Sequence, residues 1–182
     1  MNTTEELISK IMEIEWGMFS TVQNRGGKAS CQEDPETFRI IRISNFMIWS
    51  EATLESYLSD LEEAKEAGRN LMTEKYARME NLITSLDPEV PPLLDKIVEA
   101  ECKWVEELLQ KYPGTKLARP IYSWQDTPYA TSSETYSRGE LATYSKRTLE
   151  LYWADTLDMQ SKELNRIEMS VGIMSKKFSE RS

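Results

Sequence analysis

Histidine is missing from the chain altogether, which removes the usual general base of nucleophilic triads and the commonest transition-metal ligand. Serine-histidine-aspartate and cysteine-histidine catalysis are excluded, as is histidine-based zinc or iron chemistry. Cysteine is scarce too. With only Cys31 and Cys102, neither a disulfide framework nor a four-cysteine zinc site is available within one chain, and a reducing cytoplasm is the natural setting. Long apolar runs are lacking, and the opening MNTTEELISK carries acids where a secretion signal needs positive charge and then an apolar stretch. The expectation is a soluble cytoplasmic protein with no membrane partner. Positive charge is in deficit, 22 basic against 31 acidic residues for a net charge of -9, so nucleic acid is not an expected partner either.

What is present is helical periodicity, in a chain long enough at 182 residues to bury a sizeable core. Thr3 and Glu6 read as a capping box opening a helix to about Gln23, with Leu7, Ile11, Ile14 and Met18 on one face. A loop from Asn24 to Glu33 follows, closed by Asp34 as N-cap and Pro35 at the first helical position. The second helix, to about Trp49, is apolar almost all round (Phe38, Ile40, Ile41, Ile43, Phe46, Met47) and is therefore expected to be central. Ser50 caps a third helix that stops near Gly68, and a fourth runs from Asn70 to about Ser85. The consecutive Pro91 and Pro92 mark the best internal boundary.

Beyond that boundary the pattern begins again. Leu7, Lys10, Ile11, Glu13 and Glu15 recur as Leu93, Lys96, Ile97, Glu99 and Glu101, each 86 residues on. Ser50, Thr53, Leu54, Glu55 and Tyr57 recur as Ser145, Thr148, Leu149, Glu150 and Tyr152, each 95 residues on. The growing offset places an insertion in the second loop, Tyr112 to Thr131. The expected architecture is an all-α bundle of about eight helices, made of two diverged four-helix repeats related by a pseudo-twofold. The repeats would be residues 1–86 and 93–182, joined by a proline-rich linker at 87–92 and packed as one domain.

The internal comparison singles out two carboxylates. At 100° per residue, Glu15 falls inside the apolar arc of the first helix, and Glu101 inside the same arc of its counterpart. A buried carboxylate needs a cation, a metal or a proton. Arg42 lies in the most aromatic sector of the second helix, with Arg39 at its edge. Two readings stand side by side: Glu15 and Arg42 as a buried structural pair, or Glu15 and Glu101 flanking a polar cavity for a substrate or divalent cation. The loop carrying Asn24, Gly26 and Gly27 is either an ordinary connection or an anion cradle at a helix N-terminus. Ser30 and Gln32 recur as Ser123 and Gln125, and the second half adds Arg119, Asp126, Arg138 and Glu140. Cys31, at the mouth of a helix, is either a free structural thiol or a thiolate stabilised by the helix dipole.

Three segments carry a resemblance: Gly26 to Asp34, Gly68 to Met79, and Asp126 to Pro128 with Ser133 to Leu141. Over roughly residues 5 to 175 the chain resembles a bacterial family catalogued as domain of unknown function 4125. The resemblance implies members sometimes joined to a nucleotidyltransferase-like domain, which would be a partner beside a homodimer. It draws interest to Gly26, Ser30, Gln32, Asp34, Arg69, Asn70, Glu74, Arg138 and Glu140, without giving any of them a role.

The preferred functional reading is a small enzyme acting on a small polar or anionic substrate in a buried polar cleft between the repeats. Glu15 or Glu101 would be the acid/base, Arg42 and Arg138 the electrostatic clamps, with Cys31 a further catalytic candidate. Substrate contacts would come from Asn24, Gly26, Gly27, Ser30, Gln32, Arg39, Arg119, Ser123, Gln125, Asp126, Arg138 and Glu140. Alternatives are a non-catalytic module binding a metabolite or protein, and a magnesium-dependent nucleotide hydrolase using acids such as Glu55, Asp60 and Glu63, its cation held by carboxylates.

Overall fold

The computed structural model describes residues 3–23 and 30–181, and among these the chain is all-helical. Eight α-helices follow one another: α1 (Thr3–Ser20), α2 (Pro35–Phe46), α3 (Glu51–Glu66), α4 (Leu71–Met79), α5 (Val90–Lys111), α6 (Ser133–Leu141), α7 (Lys146–Ser161) and α8 (Arg166–Arg181). Short 3-10 turns occupy Ser30–Glu33 and Ser123–Gln125. No strand forms among the described residues, and no helix is long and apolar enough to cross a membrane.

Side chains that satisfy orphan backbone groups set the helix ends. Asp34 accepts from the Thr37 N–H at 3.0 Å, ahead of Pro35. Ser50, Ser132 and Ser145 head α3, α6 and α7 in extended backbone and accept from Thr53, Thr135 and Thr148. Asn70 and Asn165 do the same for α4 and α8, accepting from Thr73 and Glu168 at 3.0 Å each. Gly68, at φ +70°, stops α3. At the junction after α7 the same left-handed turn falls on Glu163, at φ +55°, where a side chain makes the conformation costly.

The ends depart from the sequence reading where a left-handed turn was not apparent. Asn81, at φ +58°, closes α4 near Met79 instead of Ser85, with the Leu82 N–H returning to the Ala77 carbonyl at 2.8 Å. α1 and α2 stop at Ser20 and Phe46, three residues short of Gln23 and Trp49. Pro91 and Pro92 do not separate elements. Both sit in the first turn of α5, where a missing N–H costs nothing.

Two compact units divide the chain: Met1–Glu74 with Met169–Ser182, and Lys75–Glu168. In the first, α1 packs along α3 over Ile11, Leu54 and Leu61, all fully buried. Phe46 stands edge-on to Trp49, 5.0 Å between centroids, and Phe19 stacks on Phe38 at 4.6 Å. The α8 portion of this unit reaches α2 through Ser170 Oγ and Asn45 Oδ1, 2.6 Å apart. The expected burial of α2 on all sides is corrected here: Ile40 and Phe46 are buried, but Ile41 is 40% and Met47 50% exposed. Its packing against α1 covers one side only, and isolated exposed apolar side chains are tolerated.

The second unit is built on α5, which packs against α6 and α7 over Leu94, Ile97 and Leu149. Gly139 on α6 lies flush against α4. A Cβ there would meet Met79 Cγ at 2.6 Å and the Lys75 carbonyl oxygen at 3.2 Å. Met79 can swing but the backbone oxygen cannot, so Gly139→Ala is expected to lose about 1–3 kcal/mol through overpacking. Urea unfolding of the variant measures this, and a loss below about 0.5 kcal/mol would mean that the α4–α6 contact is looser than its geometry.

Candidate functional site

Each unit carries a carboxylate turned inward on its first long helix, fully buried in the first and part-buried in the second, and in each a tyrosine reaches it. In the first unit Glu15 is fully buried on α1. Arg42 on α2 donates to it through Nε at 2.9 Å and Nη2 at 2.7 Å, and the Tyr57 hydroxyl on α3 donates at 2.6 Å. The guanidinium also lies 4.9 Å from the centre of the Phe46 ring. A two-point, charge-assisted pair with a third donor is a closed arrangement. Of the two readings open for Glu15 and Arg42, this geometry is that of the structural pair.

In the second unit Glu101 on α5 accepts from the Tyr152 hydroxyl on α7 at 2.6 Å and from the Ser137 hydroxyl on α6. The cation comes from elsewhere. Arg166, in the first turn of α8, places Nη1 3.6 Å from Glu101 Oε1, within ion-pair range but beyond a hydrogen bond. Its guanidinium lies 4.0 Å from the Tyr152 ring centre and 5.4 Å from that of Trp104. The residue is 3% exposed, yet its Nε and Nη1 have no hydrogen-bond partner among the described residues. Its Nη2 makes one long contact of 3.5 Å to the Tyr152 carbonyl. Burial, reinforced by Glu101, pushes the Tyr152 phenol well above its ordinary range, while Arg166 pulls the other way, so the hydroxyl keeps its proton and remains a donor.

A second polar group adjoins in the same unit. Lys75, 3% exposed on α4, donates to Glu140 Oε2 at 2.9 Å, and Tyr144 donates to Oε1 of the same carboxylate at 3.0 Å. The Lys75 ammonium lies 3.8 Å from the Tyr136 ring centre, and Arg119 lies 4.3 Å from it. Cys102 is buried one residue beyond Glu101. Burial pushes its thiol up to about 11, so it is protonated and not a nucleophile near neutral pH.

The family comparison decides the kinship: the profile described as "Protein of unknown function (DUF4125)" matches residues 5–179. The chain belongs to that family. No curated protein and no solved structure matches it. Membership in DUF4125 therefore brings no assigned residue, and the site rests on geometry.

In this DUF4125 member several sequence candidates turn out to hold the scaffold. Gln32 donates to the Phe19 and Val22 carbonyls at 2.9 and 2.8 Å, closing the end of α1. Gln125, its partner in the internal alignment, accepts from the Tyr122 N–H at 3.0 Å. The exposed Ser123 donates its N–H to Glu134 at 2.8 Å. Asp126 accepts from Ser132 N at 2.6 Å and from the Thr135 hydroxyl, bracing the start of α6; burial opposes these bonds, but they hold its carboxyl below the usual range. Arg138, 40% exposed, pairs with Asp95 at 2.7 Å and lies 3.8 Å from Glu134. Arg39 is exposed, and Arg69 forms a two-point surface pair with Glu74. Asn24, Gly26 and Gly27 lie outside the described residues, as do the side chains of Ser30 and Cys31.

Sequence reasoning missed Arg166 and Lys75 as site residues and did not give the tyrosines a role. Tyr57 and Tyr152 were visible as an identity in the internal alignment, and a tyrosine kept beside a buried acid is a usable signal. Nothing flagged Arg166, since an arginine in the first turn of a helix reads as a surface charge.

Proposed function

We propose that this protein binds a small oxyanion at Arg166 and acts on it with Glu101 as the proton-transferring group, as a small cytoplasmic enzyme. One observation carries the reading: a guanidinium buried to 3% exposure leaves two N–H-bearing nitrogens without a hydrogen-bond partner, 3.6 Å from a carboxylate. An unsatisfied buried donor costs about 1–3 kcal/mol, and a ligand oxygen would recover that. The reading treats the two carboxylate networks as diverged copies of one device. The Glu15 copy, closed by Arg42, became structural, and the Glu101 copy, with Ser137 in place of the arginine, kept an open cation.

The chemistry follows from the groups present. Arg166 would hold the anionic portion of the substrate and stabilise charge that develops on it. Glu101, 13% exposed and fixed by Tyr152 and Ser137, would take or return a proton at the neighbouring atom. Glu15, Arg42 and Arg138 are not given catalytic or clamping roles, because each is committed to a pair described above. The magnesium-dependent hydrolase draws no support from the described residues, among which no three acidic or cysteine side chains gather as a metal site.

Glu101→Gln separates binding from turnover. With a panel of small carboxylates and phosphates followed by thermal shift and by mass spectrometry, the wild type is expected to bind and convert at least one member. The variant should bind it within several-fold while its turnover falls about 10²–10⁴-fold. Equal turnover by wild type and variant would remove Glu101 from the chemistry. A second reading, a non-catalytic binding module, is favoured by the two hydrogen bonds that already occupy Glu101. It predicts the same binding, with the ligand recovered unchanged from the wild type.

A further inference from the structure

The segment between α5 and α6 carries features that the Arg166 site does not use. It is pinned along its length: Ser133 and Glu134 return their N–H groups to the Pro120 and Ile121 carbonyls at 2.8 and 2.9 Å, Thr127 pairs with Ala130, and Asp126 holds Ser132. A loop fixed in this way has already met the entropic cost of ordering a binding surface. It nevertheless presents Trp124 at 79% exposure, its indole stacked parallel to Tyr122 with an interplanar angle of 10°. Beside it lies an open pocket of about 600 Å³ with apolar walls from Leu109, Leu117, Pro120 and Ile121, and with Arg119 and Gln125 on its lining. That volume suits a small organic molecule.

Arg119 gives the pocket its sign. Its guanidinium is positioned over Tyr136 and gives one N–H to the Thr131 carbonyl at 3.3 Å, but among the described residues it pairs with no carboxylate. This occurs in a chain where acids outnumber bases 31 to 22. No acid is among the lining residues; Glu106 accepts from the hydroxyl of the lining Tyr122 at 2.6 Å, a bond that pushes the phenol up to about 12. An uncommitted guanidinium at the edge of an apolar pocket, with an exposed indole beside it, matches a flat apolar body carrying one oxyanion. We infer that this pocket is a second binding site, distinct from the Arg166 site, for a planar and largely apolar molecule bearing a carboxylate or similar oxyanion.

Naphthalene-2-carboxylate and the neutral naphthalene-2-carboxamide test this by calorimetry and ligand-observed NMR on the full chain. The carboxylate should bind saturably, about tenfold or more tighter than the carboxamide. Arg119→Gln should erase that preference, Arg119→Lys should retain part of it, and Trp124→Ala, at an exposed position that leaves folding intact, should weaken both probes. Arg166→Met should leave the preference unchanged, which separates this site from the one above. Equal carboxylate affinity in wild type and Arg119→Gln, or no saturable binding below about 10 mM, tenfold weaker than a Kd worth about 4 kcal/mol, would overturn the inference. So would a concentration-dependent burial of Trp124 by a second copy, seen as sedimentation of a dimer with quenched indole fluorescence.

Discussion

Arg42→Met is expected to remove about 3–5 kcal/mol of stability. Glu15 is 0% exposed and takes two of its three hydrogen bonds from this one guanidinium. Methionine fills much of the arginine stem but leaves the carboxylate with the Tyr57 hydroxyl and no cation. A buried charge without its partner is the expensive state, whereas loss of both partners is cheap. The Glu15→Gln/Arg42→Met double variant should therefore recover most of the loss. In a chain of this length the single variant should melt roughly 6–20 °C lower. Urea unfolding of the wild type, both singles and the double closes the cycle. A single-variant loss below about 1 kcal/mol would mean that the pair is not what holds α1, α2 and α3 together.

That cycle bears on how much could be read from the sequence. The apolar arc placed Glu15 indoors, and the aromatic sector placed Arg42 beside it, because a 3.6-residue period leaves few other directions for either side chain. The caps at Asp34 and Ser50 were legible for a similar reason, since each is a local device spanning three or four residues. What failed was non-local or backbone-encoded. Asn81 ends α4 by adopting a left-handed turn that asparagine permits without announcing. Pro91 and Pro92 looked like a break and instead open α5, because proline is equally at home in a linker and a first helical turn. Ile41 and Met47 looked like core and are exposed, since an apolar face does not specify what covers it.

The candidate site was half legible by the same logic. Glu101 followed from the repeat of the pattern around Glu15, and Tyr152 was already aligned with Tyr57. The cation was not, because it lies on α8, 65 residues from Glu101, outside any local period. Asn70 and Asn165, also 95 residues apart, make parallel contacts. Asn70 donates to the Met18 carbonyl at 2.8 Å, and Asn165 to the Trp104 carbonyl at 2.9 Å. Each asparagine also caps the helix that follows it, so one residue fixes a helix start and ties it back to the first helix of its pattern. Arg166 owes its position to this tie: it is the residue after Asn165, and the anchored turn delivers its side chain between Trp104 and Tyr152.

Arg166→Met is expected to separate stability from function in a way that Arg42→Met cannot. Its guanidinium makes one long hydrogen bond and one ion pair at 3.6 Å while two of its nitrogens go unpartnered, so its removal sacrifices little that the folded chain has gained. Glu101 retains Tyr152 and Ser137. The single variant should lose at least about 2 kcal/mol less than Arg42→Met, and the Glu101→Gln/Arg166→Met double should match or exceed the wild type by up to about 1–4 kcal/mol. Oxyanion binding should move the other way. Losing a charge-assisted contact in a buried setting costs about 1.5–3 kcal/mol, or roughly 10- to 10²-fold in affinity. Urea unfolding and titration of the same samples with the best oxyanion from the panel provide both readings. A variant that is as unstable as Arg42→Met, or that binds as the wild type does, would make Arg166 an ordinary structural cation. On the proposed function, the stability given up by a buried, under-satisfied arginine is offset by the oxyanion it would bind, and the two readings together test that exchange.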